Sequence, residues 1–220
     1  MFTHISHNFP QLLQENVDGV RRYVTPTGEK YPSVTTVLAE YGKEGILEWR
    51  KKVGEEKANQ ISRTATTRGT GVHKALETLL KNEDVSSLEM MPNVKSLFVR
   101  MKGELAEKVN NIHCLEDKLY SHKLKLAGTV DCIAEFDGEM SVIDFKTSRK
   151  IKSRDDIHGY FMQTSAYAEM FKERTSINVD QLVIIMAVEN DNPLVFIEKP
   201  SEWIDKFVQL KNDYFNTHNK

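Results

Sequence analysis

Two acids and a lysine in one short stretch carry the chemistry open to this sequence. Gly128-Thr129-Val130-Asp131 runs on through Phe136 to the turn Asp137-Gly138, and the segment from Met140 ends in Asp144-Phe145-Lys146. Both arms are rich in strand formers, and Asp-Gly between such runs is a strong short-range β-hairpin signal. In a two-residue hairpin, positions equidistant from the turn face each other, and Asp131 and Asp144 each lie six residues from it. The spacing seats the two carboxylates opposite one another, with Cβ atoms roughly 5 Å apart. Lys146, two residues on, shares the side of Asp144. Such a patch is about the size of a hydrated divalent ion.

Solvated polar residues on an exposed sheet face are the plain alternative. Against it, Ile133 and Val142 share that face, while Val130, Cys132, Ile143 and Phe145 are expected on the other. Strands apolar on both faces are buried strands. A buried acid pair without a cation suffers mutual repulsion and desolvation together, and a bound metal removes both penalties. Hard cations such as magnesium take one or two carboxylates, with waters and phosphate oxygens completing the octahedron.

The rest of the chain bounds the setting. At 220 residues it suits one sizeable domain, and a hydrophobic fraction of 40% with 28% charged residues is ordinary for a soluble globular protein. No apolar run approaches the roughly 20 residues that cross a bilayer, and Met1 to Pro10 lacks the regions of a secretory signal, so a cytoplasmic setting without a membrane partner is expected. Cys114 and Cys132 read as buried thiols. A net charge of −2 makes any nucleic-acid surface a local patch.

The elements that must position the acids follow from periodicity. Arg21 to Tyr31 reads as a small hairpin around Thr27-Gly28, Ser33 caps a helix through Leu38, and Ile46 to Ile61 is polar and helical in character. Gly69 to Gly71 precedes a helix over Val72 to Lys81, and Pro92 opens another carrying Val94, Leu97, Phe98, Met101, Leu105 and Val109. Ile112 to Tyr120, Leu126 to Phe136 and Met140 to Lys146 form a meander. Asp156 to Arg174 is a helix, Gln181 to Glu189 and Leu194 to Lys199 are strands, and a last helix starts at Ser201. The sum is an α/β fold: a central mixed β-sheet flanked by helices, with a helical N-terminal region.

The Asp131 to Lys146 constellation resembles the PD-(D/E)xK nuclease superfamily, with Gly-Thr-Val-Asp in place of Pro-Asp and Asp-Phe-Lys as the second half. Arg68-Gly69-Thr70-Gly71-Val72-His73 followed by Glu77 is similar to the histidine motif of its RecB-type branch, and Gln163 with Tyr167 reproduces that branch's Gln-x-x-x-Tyr helix. Tyr31-Pro32-Ser33-Val34-Thr35 ahead of Trp49 is similar to the mitochondrial genome maintenance exonucleases and their phage-encoded relatives. The four-cysteine iron–sulfur cluster of the related Cas4 nucleases is not expected from two cysteines.

The resemblance implies a restriction-endonuclease-like core over 68–220, preceded by a hairpin and helical arch over 1–67 in the same domain. It implies a Mg2+- or Mn2+-dependent DNA exonuclease acting on single-stranded ends in replication, recombination or repair and leaving 5′-phosphates, in a host cytoplasm if the chain is phage-encoded. A structure-specific endonuclease and a catalytically silent DNA-binding subunit stay open, and protein partners are not legible. Catalytic roles fall to Asp131, Asp144 and Lys146, and metal binding to His73, Asp131, Asp144 and the Phe145 carbonyl. Glu77, Gln163 and Tyr167 support them. Glu116 on the preceding strand is either an outer ligand or an ordinary exposed acid. A basic run at Lys146 to Arg154, with Arg149, Lys150 and Lys152, together with Lys123, Arg63 and Arg68, would grip backbone phosphates without reading sequence.

Overall fold

In the computed structural model, which describes residues 1–17 and 19–218, a five-stranded sheet divides two layers of helices. Residue 18 of the expected N-terminal region and residues 219–220 of the expected core lie outside the described ones. The sheet runs β4 (Val109–Ser121), β5 (Leu126–Phe136), β6 (Glu139–Ser148), β7 (Gln181–Val188) and β8 (Leu194–Glu198), all neighbours antiparallel except the β6 and β7 pair. A smaller antiparallel sheet, β1 (Leu13–Val17), β2 (Val20–Val24) and β3 (Lys30–Pro32), is tied to β5 by a bridge between Ser33 and Ala127. Its first strand was not among the expected elements.

One face of the large sheet is covered by α3 (Glu55–Leu80) and α4 (Pro92–Lys108), through Val72, Leu76, Leu80, Leu97, Phe98, Met101 and Leu105. The other is covered by α5 (His158–Thr175), α6 (Ile204–His218) and the short α1 (Val34–Leu38), through Phe161, Phe171, Trp203 and Phe207. Pro92 stands in the first turn of α4, where a missing N–H costs nothing, and the Ser33 side chain accepts from Thr36 N as the cap of α1.

Three local expectations are refined or corrected. The polar stretch around Ile46 to Ile61 is two helices, α2 (Lys43–Val53) and α3, separated at Gly54, whose φ of 85° and ψ of 145° are closed to residues with a Cβ. The second helix does not begin at Val72: α3 runs unbroken from Glu55 through both glycines and across the expected 67/68 division. Gly71 is not a breaker but a contact point, since a Cβ there would stand 3.0 Å from Val94 Cγ1 of α4. Third, Val130 packs with Ile133 and Val142, not with Cys132, Ile143 and Phe145. The alternation of β4 and β5 changes phase between Cys114 and Leu119 and between Val130 and Ile133, around Glu116, whose φ is 55°.

The cysteines lie in the two opposite core clusters, Cys114 on one face and Cys132 on the other, and both are free thiols. Burial pushes both thiols well above their usual range, leaving them protonated and inert. No helix among the described residues is long and apolar enough to cross a membrane.

Candidate active site

The hairpin between β5 and β6 forms in the expected register. Asp137 and Gly138 both have positive φ (53° and 84°), as a type I′ turn requires, and pairing runs from Phe136 with Glu139 to Cys132 with Ile143. There the strands part. β5 stays with β4 down to Leu126, while β6 continues alongside β7 to Ser148. Asp131 and Asp144 are the first residues beyond the last pair, one on each arm of the fork. The Asp131 carboxylate closes the crotch: its Oδ2 accepts from Phe145 N at 2.9 Å, replacing a ladder bond.

A helix reaches the fork from each face of the sheet. From α3, His73 Nε2 lies 2.7 Å from the Phe145 carbonyl oxygen, and Nδ1 lies 3.6 Å from Asp131 and 4.0 Å from Glu116. From α5, Gln163 Nε2 donates to Asp144 Oδ1 at 3.0 Å. One turn further along α5, Tyr167 packs on Gly128, where a Cβ would stand 2.6 Å from the tyrosine oxygen. The Asp144 carboxylate is 2% exposed and holds the Lys146 ammonium at 2.5 Å from Oδ2. That ammonium also lies 4.8 Å from the centre of the Tyr160 ring, a cation–π contact.

The electrostatics follow from burial of like charges. For Asp144, burial is the largest influence and lifts its pKa above the ordinary carboxylate range; Asp131 adds to this and Lys146 opposes it. Burial works against a charged His73, yet the nearby carboxylates of Glu116, Asp131 and Asp144 overcome it and raise its pKa to about 9. The lysine is likewise disfavoured by burial but held charged by Asp144 and Asp131.

Part of this arrangement fits a divalent cation, while Asp144, expected as a ligand, lies outside the group of converging donors and is held by Lys146 and Gln163. His73, Glu116 and Asp131 offer ligand atoms that all lie within 4.8 Å of one another. Oδ2 of Asp144 is a buried acceptor whose partner is the Lys146 ammonium at 2.5 Å. The donors are nitrogen and oxygen, suited to a hard or borderline ion. Glu116 stands opposite Asp131, between the pairs Leu115 with Cys132 and Asp117 with Val130, and its left-handed backbone is stabilised by Leu115 N donating to Asp117 Oδ2 at 3.0 Å.

Other expected site residues are placed elsewhere. Glu77 is engaged by Lys74 at 3.2 Å and Lys81 at 2.5 Å, and its carboxylate is outside the group around Asp131. Arg68 is 5% exposed and bound to Glu189 at 2.5 Å and Thr147 at 3.3 Å, so it pins α3 to the ends of β6 and β7 and offers nothing to a phosphate. Arg63, Lys123, Arg149, Lys150 and Lys152 are exposed, with Arg149 3.9 Å from Glu189. Tyr160 and Glu189 were not expected. Tyr160 lies one turn before Gln163 on α5 and carries its own legible signal, whereas nothing local ties Glu189 to Arg68, 121 residues away.

Comparison with known proteins gives the class. The PD-(D/E)XK nuclease superfamily model matches residues 46–190, more than half of the chain and the whole of the fork with its bracing helices. The chain belongs to that superfamily. Among curated proteins, mitochondrial genome maintenance exonuclease 1 of Homo sapiens is 27% identical over 175 residues, covering 74% of this chain and 50% of that protein. The Mus musculus protein of the same name is 29% identical over 130 residues, covering 55% and 38%. The Xenopus tropicalis one is 26% identical over 174 residues, covering 74% and 50%. This chain thus spans half or less of the length of the curated relatives it matches.

Proposed function

We propose that the chain is a Mg2+- or Mn2+-dependent DNA exonuclease that takes single-stranded ends. The observation carrying this reading is the fork itself, which gathers two carboxylates, a lysine and an imidazole where β5 and β6 cease to pair with each other. His73, Asp131, Asp144 and, at the crotch, the Phe145 carbonyl would hold the ion, with Glu116 beside them. Bound there, it would polarise the phosphodiester and acidify a water.

The protein's own groups do the rest. Lys146, kept charged by the two acids and steadied over Tyr160, offers its ammonium to charge gathering on the phosphate. Gln163 fixes the rotamer of Asp144 by holding one oxygen, while Lys146 holds the other. Tyr167, packed on Gly128, sets the depth of α5 against β5.

Support for single-stranded ends is twofold. Action at ends is supported by the curated relatives, which are named as exonucleases. In addition, α2 has no buried residue and the first half of α3 buries only Ala58, so this helical pair stands clear of the core, as a cover over a strand would. Exposed Arg63, Lys123, Lys150 and Lys152 would meet phosphates by charge alone.

Digestion of linear single-stranded, linear duplex and closed circular DNA with magnesium, set against EDTA, tests this. Loss of linear single strands only, abolished by Lys146→Ala with binding retained, is the expected result. Cutting of circles would replace the exonuclease reading with an endonuclease, and normal turnover by Lys146→Ala would refute the site.

A further inference from the structure

We propose that Arg21 is a phosphate clamp for the DNA strand, gripping a phosphate beside the scissile one from the small N-terminal sheet. The proposal rests on the nuclease reading above and assigns that site a positioning residue outside its acids and lysine.

Arg21 lies in β2, the central strand of the small sheet, and is exposed. Its Nη2 donates to Thr35 Oγ1 at 2.5 Å and approaches Ser33 Oγ at 3.4 Å, while its backbone carbonyl accepts from Ser33 N. The guanidinium carbon also lies 5.9 Å from the centre of the Tyr23 ring. These partners are neutral. Among the described residues no carboxylate pairs with Arg21, and its Nε and Nη1 have no acceptor. An arginine held by two hydroxyls and a ring has surrendered much of its rotamer freedom, yet keeps its full charge and most of its donor fork. That is the state in which a guanidinium binds phosphate well, because ordering has already occurred and no internal salt bridge must break.

The location matches the use. Ser33 bridges to Ala127 of β5, and the Tyr23 hydroxyl lies 3.4 Å from Thr129 Oγ1, two residues before Asp131. Tyr167, which packs on Gly128 in the same stretch, is within the electrostatic reach of Asp131 and Asp144 and also of Arg21. The clamp therefore stands beside the arm of the fork that carries Asp131.

The test uses the full chain with Lys146→Ala as a cleavage-silent reference. Binding of a fluorescein-labelled oligothymidine is followed by anisotropy from 50 to about 300 mM salt, with thermal melting of each variant alongside. Adding Arg21→Gln should weaken binding about tenfold and reduce the slope of log affinity against log salt by about 0.7, the loss of one phosphate contact. Arg21→Lys should restore the slope and only part of the affinity. An unchanged slope with Arg21→Gln overturns the clamp, whether affinity is kept or falls in step with a lowered melting temperature, as bracing of Thr35 alone would give. If the Lys146→Ala reference does not bind the oligonucleotide at all, the nucleic-acid reading itself falls and takes the clamp with it.

Discussion

His73 shows how one side chain couples the resting fold to ion binding. Its Nε2 can contact the Phe145 carbonyl favourably only by carrying a proton, which turns Nδ1 toward Asp131 and Glu116. With a pKa raised to about 9 by those acids, the metal-free protein holds an imidazolium at neutral pH. Because the folded value exceeds the unfolded one of 6.5, the stabilisation is fully present below 6.5 and is lost as pH rises through about 9. It amounts to at most about 3–4 kcal/mol. The gap in metal-free stability between wild type and His73→Ala should accordingly shrink from pH 6 to pH 9.5 in urea titrations; a gap independent of pH would show an uncharged histidine. A cation must displace that proton, so calorimetric manganese affinity should rise with pH across the same window in wild type and much less in the variant. At Gly128 the constraint is space. Gly128→Ala should cost about 1–3 kcal/mol by driving a methyl into Tyr167, and combining it with Tyr167→Leu should recover part of that loss in chemical denaturation.

At the level of elements, the fork depends on strands that agree to pair for five residues and then choose different neighbours. Nothing in β5 or β6 alone forces the split; β4 on one side and β7 on the other supply the competing ladders. Gly138 keeps the register, and with it the placement of Asp131 against Asp144. The α2 and α3 junction is a second device. Gly54 adopts a conformation open only to glycine, so Gly54→Val should strain this hinge by about 1–3 kcal/mol. Since α2 covers no core, melting of the whole protein should shift little, while proteolytic cutting between residues 43 and 60 should speed up markedly. A large drop in melting temperature would mean the helical pair belongs to the cooperative core.

For the molecule as a whole, the long-range ties decide integrity. Buried Arg68 pairs with half-buried Glu189 and so joins the middle of α3 to the residue after β7. Removing the arginine leaves Thr147 without its donor and Glu189 with only solvent and the more distant Arg149, and Arg68→Ala should destabilise by about 1–3 kcal/mol, read in urea unfolding. Ion binding should work in the opposite sense. At a hundredfold excess over the dissociation constant, manganese should add about 2.7 kcal/mol, several degrees in melting temperature for a chain of this size, and Asp131→Asn should abolish the gain. The net charge of −2 gives no global attraction for DNA; any affinity comes from local cations and should fall steeply with salt.

Short-range information was enough for the hairpin, its register and the helix opened by Pro92, because an Asp-Gly turn, a capping residue or a period of two acts within a few residues. The mixed sheet with helices on both sides followed from the order of those elements. What the sequence alone could not decide were features made by contact between distant segments. Gly71 read as a breaker because Val94 was not yet known to lie against it, and Arg68 read as a free cation because Glu189 is remote in the chain. Glu116 stood among the exposed acids until β4 paired with β5 and its left-handed backbone turned it beside His73. Residue types and local spacing determined which groups could do chemistry; only packing, which brings α3, α5 and the small sheet to one fork, decided which are charged, which are shared and which remain free to meet a phosphate.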